Sequence, residues 1–136
     1  MRELTEAEKK TIYLSMLHLG VVRWTKSSRR LEYALQYVIQ HEDIWNMQMT
    51  ELYVDISRLD HSTWIAVERS LRVIIHRLWT VRRDVCEKLF FHSEQHHECL
   101  SVSQFLYIYK LEFENGTIRH WVDSVDVPIC SNAKAG

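Results

Sequence analysis

The sequence predicts an all-α protein, a compact bundle of about six helices containing a helix-turn-helix variant. Three observations carry this. Only one proline and three glycines occur in 136 residues, whereas sandwiches and barrels need many turn residues. Apolar residues recur at helical spacing, most clearly over 64–81. Hydrophobic residues make up 46% and charged residues 26% of the chain, enough apolar area for a packed core and too much for a disordered chain.

The elements follow in order. Thr5 with Glu8 has capping-box spacing, and Gly20 stands where a C′ glycine stops a helix, so a helix is predicted over 6–19. Its apolar stripe (Ile12, Leu14, Met16, Leu17, Leu19) is wide. A link over 21–26 leads to a second helix at about 27–41, with Leu31, Ala34, Leu35, Val38 and Ile39 at helical spacing and Ser27 and Ser28 as its caps. Residues 44–49, with Ile44, Trp45, Met47 and Met49, fit either a turn of helix or an apolar strap. A third helix is predicted over about 50–59, with Leu52, Tyr53, Ile56 and Leu59 inward. Asp60-His61-Ser62-Thr63 reads as a break whose Ser and Thr are good N-caps.

The helix over 64–81 has the clearest pattern. With Val67 at zero and 100° per residue, Trp64, Val67, Leu71, Ile74, Ile75 and Leu78 fall between about 340° and 80°. Glu68, Arg69, Arg72 and His76 fall between about 100° and 200°. One face suits a core, and the face beside it is polar and largely basic. Residues 84–91 predict a short helix, and 92–98 a polar loop. Ser101 with Gln104 repeats the capping-box spacing and opens a last helix through Phe105, Leu106, Ile108, Tyr109 and Leu111. After Asn115-Gly116 the periodicity fades. The helical domain is therefore read as 1–112, and 113–136 as a C-terminal extension, partly ordered or frayed.

The net charge is −1, but it is unevenly spread. Residues 1–30 carry seven Lys/Arg against three Asp/Glu, 31–60 one against six, 61–90 six against three, and 91–136 three against six. Two basic blocks flank an acidic one, and a local basic face can bind phosphate whatever the total charge. No run approaches 18 apolar residues, so no membrane span is expected. MRELTEAEKK has no apolar signal region. Cys86, Cys99 and Cys130 are too few and scattered for a disulfide framework, so a cytoplasmic protein is expected. His92, His96, His97 and Cys99 match no closed zinc site, and no metal is expected. No catalytic constellation stands out, so neither an enzyme, a cofactor nor a small-molecule substrate is expected. Trp64 and Trp79 lie on the apolar stripe and are read as core, whereas Trp24 and Trp121 are not placed.

A helix of about ten residues, a four-residue break and a longer helix is the layout of a helix-turn-helix. Ser57 is small where the two helices would cross, and Val67 is apolar where the second leans back. The turn carries His61 where glycine is common. The major groove, about 12 Å wide, admits one α-helix, and arginine forks match guanine O6/N7 while a carboxylate can accept from cytosine N4. Glu68, Arg69 and Arg72 are the expected base contacts. Lys26, Arg29, Arg30, Ser62, Thr63, His76, Arg82 and Arg83 are the expected phosphate contacts, which fix register without reading sequence. A plainer account of Glu68 and Arg72 is an i,i+4 pair that stabilises the helix by a few tenths of a kcal/mol.

Residues 20–111 resemble the C-terminal DNA-binding effector domain of the stage-zero sporulation response regulator (protein A) family. The resemblance rests on Leu19-Gly20-Val21, Leu31 with Ala34-Leu35, Leu52-Tyr53 with Asp55-Ile56, Val67-Glu68-Arg69 with Arg72 and Trp79, Leu89-Phe90, and Ser103-Gln104-Phe105. It implies a six-helix bundle that binds short boxes of double-stranded DNA, as a homodimer or as tandem copies. Two positions depart from the family. Ala66 stands where it has a base-reading arginine, and Val73 where it has a histidine. Losing one arginine–guanine contact costs about 1–3 kcal/mol of discrimination, so Ala66 puts the family's box in doubt as the target. The family's receiver domain is not expected in these 136 residues, and with it goes the phosphorylation switch. The alternative is a protein-interaction module of the same fold that has lost base reading, which Ala66 and the acidic middle block favour.

Overall fold

The computed structural model describes residues 2–46, 48–91 and 98–124. Among these residues the chain forms seven α-helices and no strand: α1 (Glu6–His18), α2 (Lys26–Gln40), α3 (Met49–Asp60), α4 (Trp64–Val81), α5 (Arg83–Phe91), α6 (Val102–Glu114) and α7 (Thr117–Ser124). A 3₁₀ turn, Glu42–Asn46, joins α2 to α3 and buries Ile44. Of the segment left open above, Met47 lies outside the described residues, as do His92, His96, His97, Cys130 and the C-terminal residues read as frayed.

The helix starts follow from side-chain caps that satisfy otherwise orphaned N–H groups. Thr5–Glu8 and Ser101–Gln104 both form complete capping boxes. Thr25, rather than Ser27 or Ser28, caps α2, its hydroxyl accepting from the Ser28 amide. The Ser28 hydroxyl instead donates to the Arg23 carbonyl at 2.7 Å. Gly20 ends α1 with φ +105°, a conformation L side chains rarely adopt, and a Cβ there would meet Arg82 Cγ at 2.9 Å.

Helix α2 is the axis of the bundle, touching α1, α3, α4 and α6. Leu31, Ala34, Leu35, Val38 and Ile39 are all buried, as the stripe predicts. Two buried polar ties join α6 to α2 and α1 to α6. Lys110 of α6 donates to the Val38 carbonyl at 2.7 Å, and the Ser15 hydroxyl of α1 bonds the Tyr109 hydroxyl at 2.7 Å. Each polar group is thus satisfied where an unpaired one would cost about 1–3 kcal/mol.

Two expectations are corrected here. Periodicity does not end at Asn115-Gly116. Helix α7 follows at once, buries Ile118 and Val122, and packs on α1 and α6. Trp121 lies on it with its ring 5.0 Å from that of the buried His18. Trp64 is not core. It is 45% exposed, because it occupies the first position of α4, whereas Trp79 at the far end is buried beside Phe90. Trp24 is half-buried, 5.1 Å from Tyr13.

Candidate nucleic-acid interface

The site is built on α3, the turn after it, and α4. At the turn His61 adopts φ 57° and ψ 37°, the left-handed conformation in which glycine is common. The amide of Ser62 donates to the Ser57 carbonyl at 2.9 Å, which closes the end of α3. Thr63 then caps α4, accepting from the Ala66 amide at 3.1 Å. Ser57 and Val67 are both buried, and α3 packs on α4, as the spacing predicts.

Arg30 locks this corner. It is buried, and its guanidinium reaches three partners. Nε donates to Asp60 Oδ2 at 2.7 Å, and one terminal nitrogen donates to Ser70 Oγ at 2.6 Å and the Ala66 carbonyl at 3.4 Å. The Ser62 hydroxyl donates to the other oxygen of Asp60. Burial pushes the Asp60 carboxyl up, but the hydrogen bonds from Ser62 and Arg30 outweigh it and hold the group below its ordinary value. One side chain of α2 thus fastens the end of α3 to the first turns of α4. Arg30 is buried, and its Nε and one terminal nitrogen are engaged within this corner, so its place in the fold is a clamp rather than an open phosphate contact.

The underside of α4 is fixed by Val67, Leu71, Ile74, Ile75, Leu78 and Trp79, all buried. Its outer face is exposed along Ile65, Arg69, Arg72, Val73, His76, Arg77 and Thr80. Arg69 lies in the middle of this face and makes no ion pair among the described residues. Arg72 pairs with Glu68 at 3.4 Å, with side chains 63% and 28% exposed. So open an i,i+4 pair is worth a few tenths of a kcal/mol and is readily exchanged. The three expected base contacts therefore lie together on the open side of a rigidly held helix.

The expected phosphate contacts divide. Lys26 and Arg29 are exposed on the first turn of α2. His76 is exposed on α4 itself, one turn beyond Arg72. Ser62 and Thr63 use their hydroxyls to hold the turn and the cap. Arg82 is half-buried beside Gly20, and Arg83 lies 3.4 Å from the buried carboxylate of Glu87. Two cations were missed. Arg23 and Arg77 line a shallow hollow where the start of α2 meets the middle of α4, with Thr25, Ser28 and Ile74. Arg77 falls at about 280° on the wheel, outside the basic sector but still on the open side, and widening that sector would have found it.

Together these elements form a helix-turn-helix with a basic outer face. Residues 12–110 match the family model for the sporulation initiation factor Spo0A C terminal. The chain belongs to this family. The Spo0A C-terminal family is one of sporulation-regulator DNA-binding domains and not an enzyme family. Its match runs from α1 into α6 and leaves α7 outside. No match is found among curated proteins or among solved structures. No helix among the described residues is long and apolar enough to cross a membrane, and no cluster among them suits a metal ion.

Proposed function

We propose that the protein is a sequence-specific transcription regulator of the cytoplasm that lays α4 in the major groove. Arg69 and Arg72 face guanine edges, and Glu68 accepts from a cytosine amino group. Lys26 and Arg29 contact the phosphates of the flanking backbone, with Arg23 and Arg77 beside them. The observation that carries this reading is Arg69: an exposed guanidinium on the outer face of α4, free of carboxylates among the described residues.

A titration of labelled duplexes by fluorescence anisotropy tests it. Even non-specific binding by such a face has a Kd of about 10⁻⁴–10⁻⁶ M at physiological salt, with a steep salt dependence. Affinity weaker than about 10⁻⁴ M for every duplex refutes the reading. One observation favours the second reading, a protein-interaction module. A groove of about 640 Å³ runs between α3, α4 and the start of α6, lined by Met49, Tyr53, Ile75, Leu100 and Val102. A partner held there would leave Arg69 dispensable.

A further inference from the structure

Helix α4 exposes hydrocarbon where a groove-reading helix first meets base edges. Ile65 is 51% exposed and Trp64 45%, and Ala66 beside them is half-buried. About half of Ile65 is open to solvent, and a β-branched residue at an exposed helical position is a poorer helix former than most alternatives. Its position is informative. Ile65, Arg69, Arg72 and His76 are spaced i, i+4, i+7 and i+11, which puts them within about 60° of one another on one stripe. All four are exposed. The stripe is thus basic along its length and apolar at its N-terminal end.

Resting on the groove reading above, we infer that Ile65 determines specificity by packing on the C5-methyl of a thymine. That methyl is the apolar feature among the base edges of the major groove. The Ile65 side chain is suited to it, since β-branching leaves one strongly preferred χ1 rotamer in a helix and little freedom to lose. The rise per residue sets Ile65 about 6 Å along the axis from Arg69, roughly two base-pair steps. The thymine therefore lies about two pairs from the guanine that Arg69 reads.

Duplexes enriched by the protein from a random-sequence library supply the probe. Each thymine in the enriched site is replaced singly by deoxyuridine, which removes only the methyl, and the Kd is measured by anisotropy. One substitution is expected to weaken binding about fourfold, the value of one buried methyl group. Ile65→Ser should weaken binding to the thymine duplex about as much, be indifferent to that deoxyuridine, and keep its thermal midpoint. Enrichment with no methyl-sensitive thymine overturns this inference and leaves the groove reading standing. Methyl sensitivity that survives in Ile65→Ser assigns the contact to another residue and overturns it too. A library from which nothing is enriched overturns the groove reading and this inference together.

Discussion

Replacing Arg30 by methionine keeps the volume of the stem and removes the guanidinium that joins α2, α3 and α4. The lost contacts are the 2.7 Å ion pair with Asp60 and the 2.6 Å bond to Ser70. The ion-paired side chains are 8% and 18% exposed, so neither the bulk-water nor the dry-interior limit applies. Removing one partner of a fully buried pair costs about 3–5 kcal/mol. Asp60 keeps the Ser62 hydroxyl and some access to water, which moves the expectation to the low end, about 3 kcal/mol. For a chain of this length that lowers Tm by roughly 10 °C. Urea and thermal unfolding followed by circular dichroism measure it. Arg30→Lys should recover little, because a point charge cannot reproduce the fork. DNA binding by Arg30→Met should weaken with no change in its salt slope, whereas a lost phosphate contact lowers that slope by about 0.9. A variant within about 0.5 kcal/mol of the parent, or one with a shallower salt slope, would refute the clamp and restore Arg30 to the phosphate contacts.

His61→Gly should stabilise the protein by up to about 1 kcal/mol, since φ 57° is strained for histidine and free for glycine; a loss on urea unfolding would show that the imidazole contributes a contact. Burial, with the nearby charge of Arg82, lowers the pKa of His18, whose Nε2 has no hydrogen-bond partner. The folded state therefore resists a proton that the unfolded chain takes up near pH 6.5. Stability should be full above about pH 6.5 and decline as pH falls toward the folded pKa. His18→Leu should flatten this profile, and an unchanged profile would assign the decline to other groups. Burial pushes the Cys86 thiol up to about 12, while Cys99 is exposed. Alkylation of the native protein at pH 8 with mass mapping should label Cys99 and spare Cys86, and equal labelling would contradict the packing of α5.

Much of this architecture was legible in the chain because it is written locally. Helix α4 has the limits 64–81 in both the sequence pattern and the structure, since a long stripe, a Thr63 cap and a preceding break all agree. Both capping boxes are likewise local. What could not be read depends on distant partners or on brevity. Nothing around Arg30 separates a buried clamp from an exposed cation, because Asp60 is thirty positions away. Thr25, Ser27 and Ser28 offer three similar hydroxyls, and only the fold selects the first. Helix α7 spans eight residues, too few turns for a period to emerge, and it follows Gly116, whose φ of +79° breaks the chain direction. The exposure of Trp64 escaped the wheel because an angle about the axis carries no information on where neighbouring helices end.

The central claim is that Arg69 and Arg72 read bases and do not hold the fold. The direct measurement is the affinity of Arg69→Ala/Arg72→Ala for an enriched duplex and for a scrambled one, beside its thermal midpoint. Two arginine–guanine contacts at about 1–3 kcal/mol each predict a loss of at least roughly 30-fold on the enriched duplex. Little change is predicted in discrimination-free binding beyond its salt term, with a midpoint close to the parent's. An unchanged preference for the enriched duplex, or a protein that unfolds, would contradict the account.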